Sequence, residues 1–282
     1  MPSARSAFHD AYARLTKAFP GLDVRELSAG EPVPKGGGWV TTASLVEGGA
    51  RLDAFLAQDD AQVLRDHGQR ARPDVVASFG LHRYAWPACL LITVPWFLHR
   101  RVPRLPVEEV AYNRTAPGLS LGRLAVRPAG FACLPGDPAA ALPGARVVAD
   151  EEALRAEVRA AVAEHLAPVL AAFGPRMRRR GRALWGTATD ELVEGLWYIA
   201  HLLGEQVRAR RELEALLPGA TLPYVGSAAF RELTGPDGES LPTRDRVSCC
   251  MFYTVRPEDT CATCPRTRDA DRVTKLLAAT TS

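Results

Sequence analysis

Lysine is nearly absent. Lys17, Lys35 and Lys275 are the only three in 282 residues, and arginine carries almost all of the basic charge. Charge of one sign is also scarce: 35 basic against 32 acidic residues leave a net charge of +3. No strongly basic field marks the chain as a nucleic-acid binder. Long hydrophobic runs are missing as well. The longest, Trp86 to Leu98, is 13 residues with two prolines, short of the roughly 20 needed to span a bilayer. The N-terminal stretch has no apolar signal core and patterns as an amphipathic helix, so the expected location is the cytoplasm. There is no internal repeat, no low-complexity tract and no Gly-x-Gly-x-x-Gly fingerprint. The glycine-rich loop Gly30–Trp39 is not followed by Lys-Ser/Thr, which leaves it a connector and not a phosphate cradle. None of the six histidines pairs at i, i+4, and His201 reads as a hydrogen-bonded histidine near the core.

What is present is ordinary for a globular protein, with 47% hydrophobic and 24% charged residues. The expected fold class is α+β: a mainly helical body with a small antiparallel sheet and a small C-terminal metal-binding module. The first forty residues read as one helix, with Phe8, Tyr12, Leu15 and Phe19 on one face, and a Pro/Gly loop. Helices follow at Arg51–Asp66 and Pro73–Leu98, the second with a break or kink at Pro87. Residues 107–148 alternate weakly between Pro and Gly and read as the sheet. Asp150 caps the next helix, which runs with helical spacing from Leu154 to Phe173. Another begins near Thr187, which with Asp190 resembles a capping box. Arg208–Leu217 continues as a shorter helix, and Pro218–Arg244 reads as a surface excursion. The division is a body, 1–243, and a module, 244–282, closed by a short helix from about Asp269.

Cysteine is rare too, with six in the chain, yet Cys249, Cys250, Cys261 and Cys264 fall within sixteen residues. In a reducing compartment such a cluster argues for metal or redox chemistry over disulfides. Cys89 and Cys133, in an apolar run and a predicted strand, read as buried free thiols. Four thiolates suit zinc or an iron–sulfur cluster, and the Cys-x-x-Cys half fits either. The adjacent pair discriminates. Neighbouring residues of an extended chain point to opposite sides, so Cys249 and Cys250 grip a cluster with two iron atoms more readily than one small ion, unless a local turn intervenes. Both metals stay open on spacing alone. Other features admit two uses. The arginine run 176–182 reads as a helix junction or an anion contact, and Trp96, Trp185 and Trp197 read as core or as walls of a pocket for a bulky chelate.

Cys-Cys-x10-Cys-x2-Cys near the C-terminus, with Arg246 before the pair, Tyr253 after it and Pro265 after the last cysteine, resembles the FhuF-like ferric-siderophore reductases. The length, the helical body and the transition around Trp185 are similar too. The resemblance implies that Cys249, Cys250, Cys261 and Cys264 bind a [2Fe–2S] cluster. It implies a one-electron ferric-chelate oxidoreductase that reduces Fe(III) in a hydroxamate-type siderophore and releases Fe(II). The partners it implies are the ferric siderophore and an electron donor such as ferredoxin or a ferredoxin reductase, with no nucleic acid; peripheral contact with the membrane near a siderophore importer is compatible with that role. Arg244, Arg246, Arg256, Arg266 and Arg268 flank the cysteines and would offset the cluster's negative charge or dock an acidic donor. The competing readings are an iron–sulfur redox sensor and a non-enzymatic protein whose four cysteines hold a structural zinc.

Overall fold

The structure, a computed structural model, describes residues 6–219 and 221–280. Met1–Arg5 of the expected N-terminal helix lie outside them.

The fold is α+β and mainly helical, arranged around one central helix. Helix α1 is His9–Ala18, followed by strands β1 (Leu22–Glu26) and β2 (Trp39–Thr41). A single turn, α2 (Thr42–Val46), precedes α3 (Gly49–His67) and α4 (Pro73–His99). Then come β3 (Arg101–Arg104), β4 (Val110–Asn113), β5 (Gly122–Val126), β6 (Gly130–Cys133) and β7 (Ala145–Val147). Helices α5 (Glu151–Met177), α6 (Gly181–Leu202) and α7 (Gln206–Leu216) complete the body, and the hairpin β8 (Phe230–Thr234) and β9 (Ser240–Arg244) leads to the cysteines and to α8 (Asp269–Thr280).

Helix α4 is apolar all round and packs against α1, α3, α5 and α6, as a fully buried helix must. It runs unbroken through Pro87 and Pro95, so of the break or kink expected at Pro87 the break does not occur. The 13-residue apolar run thus belongs to a 27-residue helix, long and apolar enough to cross a membrane by length and composition. However, 78% of its most apolar window is buried inside the protein. At Gly195 of α6 the two helices come close: a Cβ there would meet Leu90 Cδ2 at 3.3 Å and Trp86 Nε1 at 3.5 Å.

The sheet differs from the expected antiparallel one. Two small mixed sheets form, in the orders β1-β5-β4-β2 and β3-β6-β7. β1 runs parallel to β5 and β7 parallel to β6, while the remaining pairs are antiparallel. Strand β1 joins residues about a hundred positions later and β2 joins residues about seventy later, long-range pairings that local alternation does not reveal. The stretch read as a surface excursion contains the β8–β9 hairpin.

Two further expectations are corrected. Asp150 caps α5 as expected, accepting from Ala153 N at 2.9 Å. Helix α6, however, starts at Gly181 and not near Thr187. Thr187 donates back to Ala183 O inside the helix, and Asp190 turns toward the C-terminal segment. His201 is exposed, not near the core.

Candidate metal centre

The local chemistry of the cysteine segment places its four thiols on one cavity. Met251, directly after the adjacent pair, adopts a left-handed conformation (φ 69°) that turns the chain into a 3-10 turn at Phe252–Thr254. With this local turn beside it, the adjacent pair by itself no longer separates a two-iron cluster from a single ion. On the other side, Cys264 N donates to Cys261 O at 3.1 Å, closing the Cys-x-x-Cys turn, and Thr267 N donates to Cys264 O at 3.0 Å. The amide of Arg266 approaches Cys264 Sγ at 3.4 Å, and the Thr263 hydroxyl lies 3.9 Å from Cys261 Sγ. Such N–H and O–H groups aimed at sulfur stabilise a thiolate.

All four cysteines line one cavity of about 350 Å³, with Phe79 and His82 of α4 on the facing wall. Cys264 is buried, Cys249 and Cys250 are intermediate and Cys261 is exposed, so one edge of the site faces solvent. Among the described residues no three His, Cys, Asp or Glu side chains converge tightly enough for one ion. Burial pushes the Cys250 and Cys261 thiols up, and Arg246 pulls both down; the Phe252 amide also lowers Cys250.

The segment is held by long-range contacts that its own sequence does not display. Asp190 of α6 is fully buried and accepts from Arg244 Nη2 at 2.8 Å, Val247 N at 3.2 Å, Ser248 N at 2.8 Å and Ser248 Oγ at 2.6 Å. Arg272 of α8 donates to Asp245 Oδ1 at 2.7 Å and to Cys264 O at 3.1 Å. Gln69 Nε2 donates to Val255 O at 2.7 Å, and the Phe252 ring meets His67 and Phe79 at centroid distances of 5.6 and 6.1 Å.

The flanking arginines divide by role. Arg244 is fully buried and ties the segment to α6, so it docks nothing. Arg246 lines the cavity, its side chain only 10% exposed, with Asp190 at 3.6 Å and Glu194 at 3.9 Å. Burial works against its charge, but Glu194, Glu191 and Asp190 outweigh that and hold it cationic. Arg256 pairs with Glu258, Arg266 stacks over the Tyr253 ring at 4.0 Å, and Arg268 is exposed. From the arginine run, Arg179 Nη2 donates to Cys249 O at 3.2 Å. His82 receives a charge partner: its Nδ1 lies 2.7 Å from the buried Glu191 Oε2, which raises its pKa. Cys89 and Cys133 are buried far along the chain in α4 and β6, away from the cavity walls. Trp96 is fully buried, Trp197 packs edge-on against Phe230 and Trp185 against Tyr224. The residues missed by sequence reading are His82, Asp190, Glu194 and Arg272. A carboxylate inside an apolar helix face, at Asp190 and Glu191, was the one available signal.

A thiol-lined cavity on the C-terminal segment of a helical α+β body is a candidate four-cysteine metal centre. Residues 246–266 match the family model of the FhuF 2Fe-2S C-terminal domain. The chain therefore carries a [2Fe–2S]-binding segment of the FhuF type, with all four cysteines inside the matched residues. A search among curated proteins finds no match.

Proposed function

We propose that this protein is a cytoplasmic ferric-siderophore reductase of the hydroxamate class, with Cys249, Cys250, Cys261 and Cys264 as the cluster ligands. The observation that carries the reading is the FhuF-type segment, whose thiols line a cavity open to solvent at Cys261. A bound [2Fe–2S] cluster supplies one-electron transfer. The reaction is then the loss of one electron by a donor protein and the gain of one electron by Fe(III). Hard hydroxamate oxygens hold Fe(III) far more tightly than Fe(II), so the reduced metal is released.

The chain's own residues set the conditions. Arg246 places a buried cation on the cavity wall, which favours the more negative, reduced state of the site. The Arg266 and Phe252 amides direct positive dipoles at Cys264 and Cys250. No side chain has to act as acid, base or nucleophile. The exposed Arg266 and Arg268, close to Cys261 in the chain, suit an acidic electron donor such as a ferredoxin. Peripheral membrane contact near a siderophore importer is compatible with the role.

The test is anaerobic mixing of dithionite-reduced protein with a ferric trihydroxamate and a ferrous chelator. The visible spectrum should return to the oxidised form while the chelator colours; NADH alone should leave the protein oxidised. A protein that stays reduced with every ferric chelate tried would pass the assignment to a redox sensor.

A further inference from the structure

The cluster cavity has a neighbour. A groove of about 410 Å³ lies where α4 and α6 meet the end of α1 and the loop before β5. His82 belongs to the walls of both. Glu194 lines the groove and approaches Arg246, which lines the cluster cavity, at 3.9 Å. One layer of side chains therefore separates whatever the four thiols hold from whatever fills the groove.

The groove's lining has two properties. Its apolar part is an aromatic triangle, Phe19, Trp86 and Tyr198, with ring centroids 5.8 to 6.0 Å apart. Tyr198 is 46% exposed, a large ring left open to solvent. Its charged part is neutralised within the fold. His82 faces Glu191 at 2.7 Å, Arg83 faces Asp59 at 3.0 Å, and Glu194 faces Arg244 at 3.2 Å. A polyanionic ligand would find no unpaired cation among these groups and would meet the Glu194 carboxylate. A neutral ligand with apolar flanks fits both properties. Three hydroxamates each carry one negative charge, so their Fe(III) complex has an uncharged core wrapped in methylene chain; three catecholates would leave it at minus three.

We infer that this groove is the seat for a neutral ferric trihydroxamate, with Trp86 and Tyr198 as its main contacts and the His82–Glu194 wall as the partition facing the cluster. The inference rests on the reductase reading and gives it a binding site and a charge preference. Trp86 is half-buried and supports the core, so the informative variants are Tyr198→Ala, which removes an exposed ring, and Ser120→Trp, which fills the groove from its rim.

The probe is a gallium(III) trihydroxamate, which has the shape and charge of the ferric complex and accepts no electron. Binding is followed by calorimetry and by tryptophan fluorescence on oxidised protein. Tyr198→Ala should weaken gallium-complex binding about tenfold. It should raise KM for the ferric trihydroxamate by the same factor and leave the cluster spectrum unchanged. Ser120→Trp should abolish binding. Wild-type protein that reduces the ferric chelate, with both variants binding and reducing as well as wild type, overturns the groove and leaves the reductase reading intact. Wild-type protein that binds the gallium complex, loses that binding in the variants and passes no electron overturns the reductase reading and leaves the groove. No binding to wild type at all also rejects the groove.

Discussion

Asp190→Asn is the sharpest probe of how the cysteine segment is held. The substitution keeps the shape and removes the charge. Both carboxylate oxygens of Asp190 face a backbone donor, Oδ1 the amide of Val247 and Oδ2 that of Ser248. Whichever way an asparagine amide is turned, its NH2 opposes one backbone N–H that it cannot accept from. An orphaned buried donor costs about 1–3 kcal/mol. The fully buried Arg244 also loses its closest carboxylate, at 2.8 Å, and keeps only Glu194 at 3.2 Å. Removing one partner of a buried pair costs about 3–5 kcal/mol. Because Glu194 remains, the pair cost falls below that range and a total of about 3 kcal/mol is expected, or about 100-fold in the local opening equilibrium. Hydrogen exchange in peptides covering 245–264 should rise by that factor while α4 and α5 keep their protection. The visible absorption of the cluster should decay correspondingly faster under a chelator. Adding Arg244→Met should recover part of the loss, since no buried charge then lacks a partner. Exchange and cluster decay at wild-type rates in Asp190→Asn would refute the anchoring role.

Replacing any one of the four segment cysteines by Ser should abolish or destabilise the cluster spectrum, whereas Cys89→Ser and Cys133→Ser should leave it intact; a full spectrum in the Cys250 variant removes the adjacent pair from the ligand set. A chain ending at Thr243 should keep its helical circular dichroism and lose iron, because the main hydrophobic core ends at Ala228 with Phe230 packed on it, while Val255 sits in a small separate cluster with Val63 and Val75; global unfolding would show that 244–282 is integral to the body. Arg246→Gln should lower the midpoint potential in a redox titration followed by electron paramagnetic resonance, since a buried cation on the cavity wall is lost; an unchanged or raised potential counts against its electrostatic role. His165 is buried with Nδ1 2.8 Å from Leu105 O and Nε2 2.8 Å from the Tyr84 hydroxyl, and burial lowers its pKa. The folded state thus resists a proton that the unfolded chain takes up near its ordinary value of about 6.5, so stability is full above that pH and is lost as pH falls through it; melting curves between pH 7 and 5 should slope less in His165→Gln, and an equal slope would exclude His165 as the cause.

The sequence by itself determined what depends on near neighbours. The helical faces of α1, α3 and α5 follow from spacing along a few turns, and the Asp150 cap needs only Ala153, three residues on. The four thiols were legible because the cavity they share is built by two short turns of one segment, at Met251 and at Cys261–Cys264. Tertiary structure decided the rest. Asp190 read as part of a capping box because its spacing from Thr187 suits one, yet its donors lie 54 to 58 positions away. The sheets read as one antiparallel unit because the pairing of 22–26 with 122–126 leaves no trace in local alternation. Trp96, Trp185 and Trp197 were open to a pocket role, but Trp86 lines the groove, since only the crossing of α4 over α6 at Gly195 decides which tryptophan faces Tyr198. Residues a few positions apart are constrained by backbone geometry itself; residues a hundred apart meet only when burying the α4 core has fixed where every other element lies.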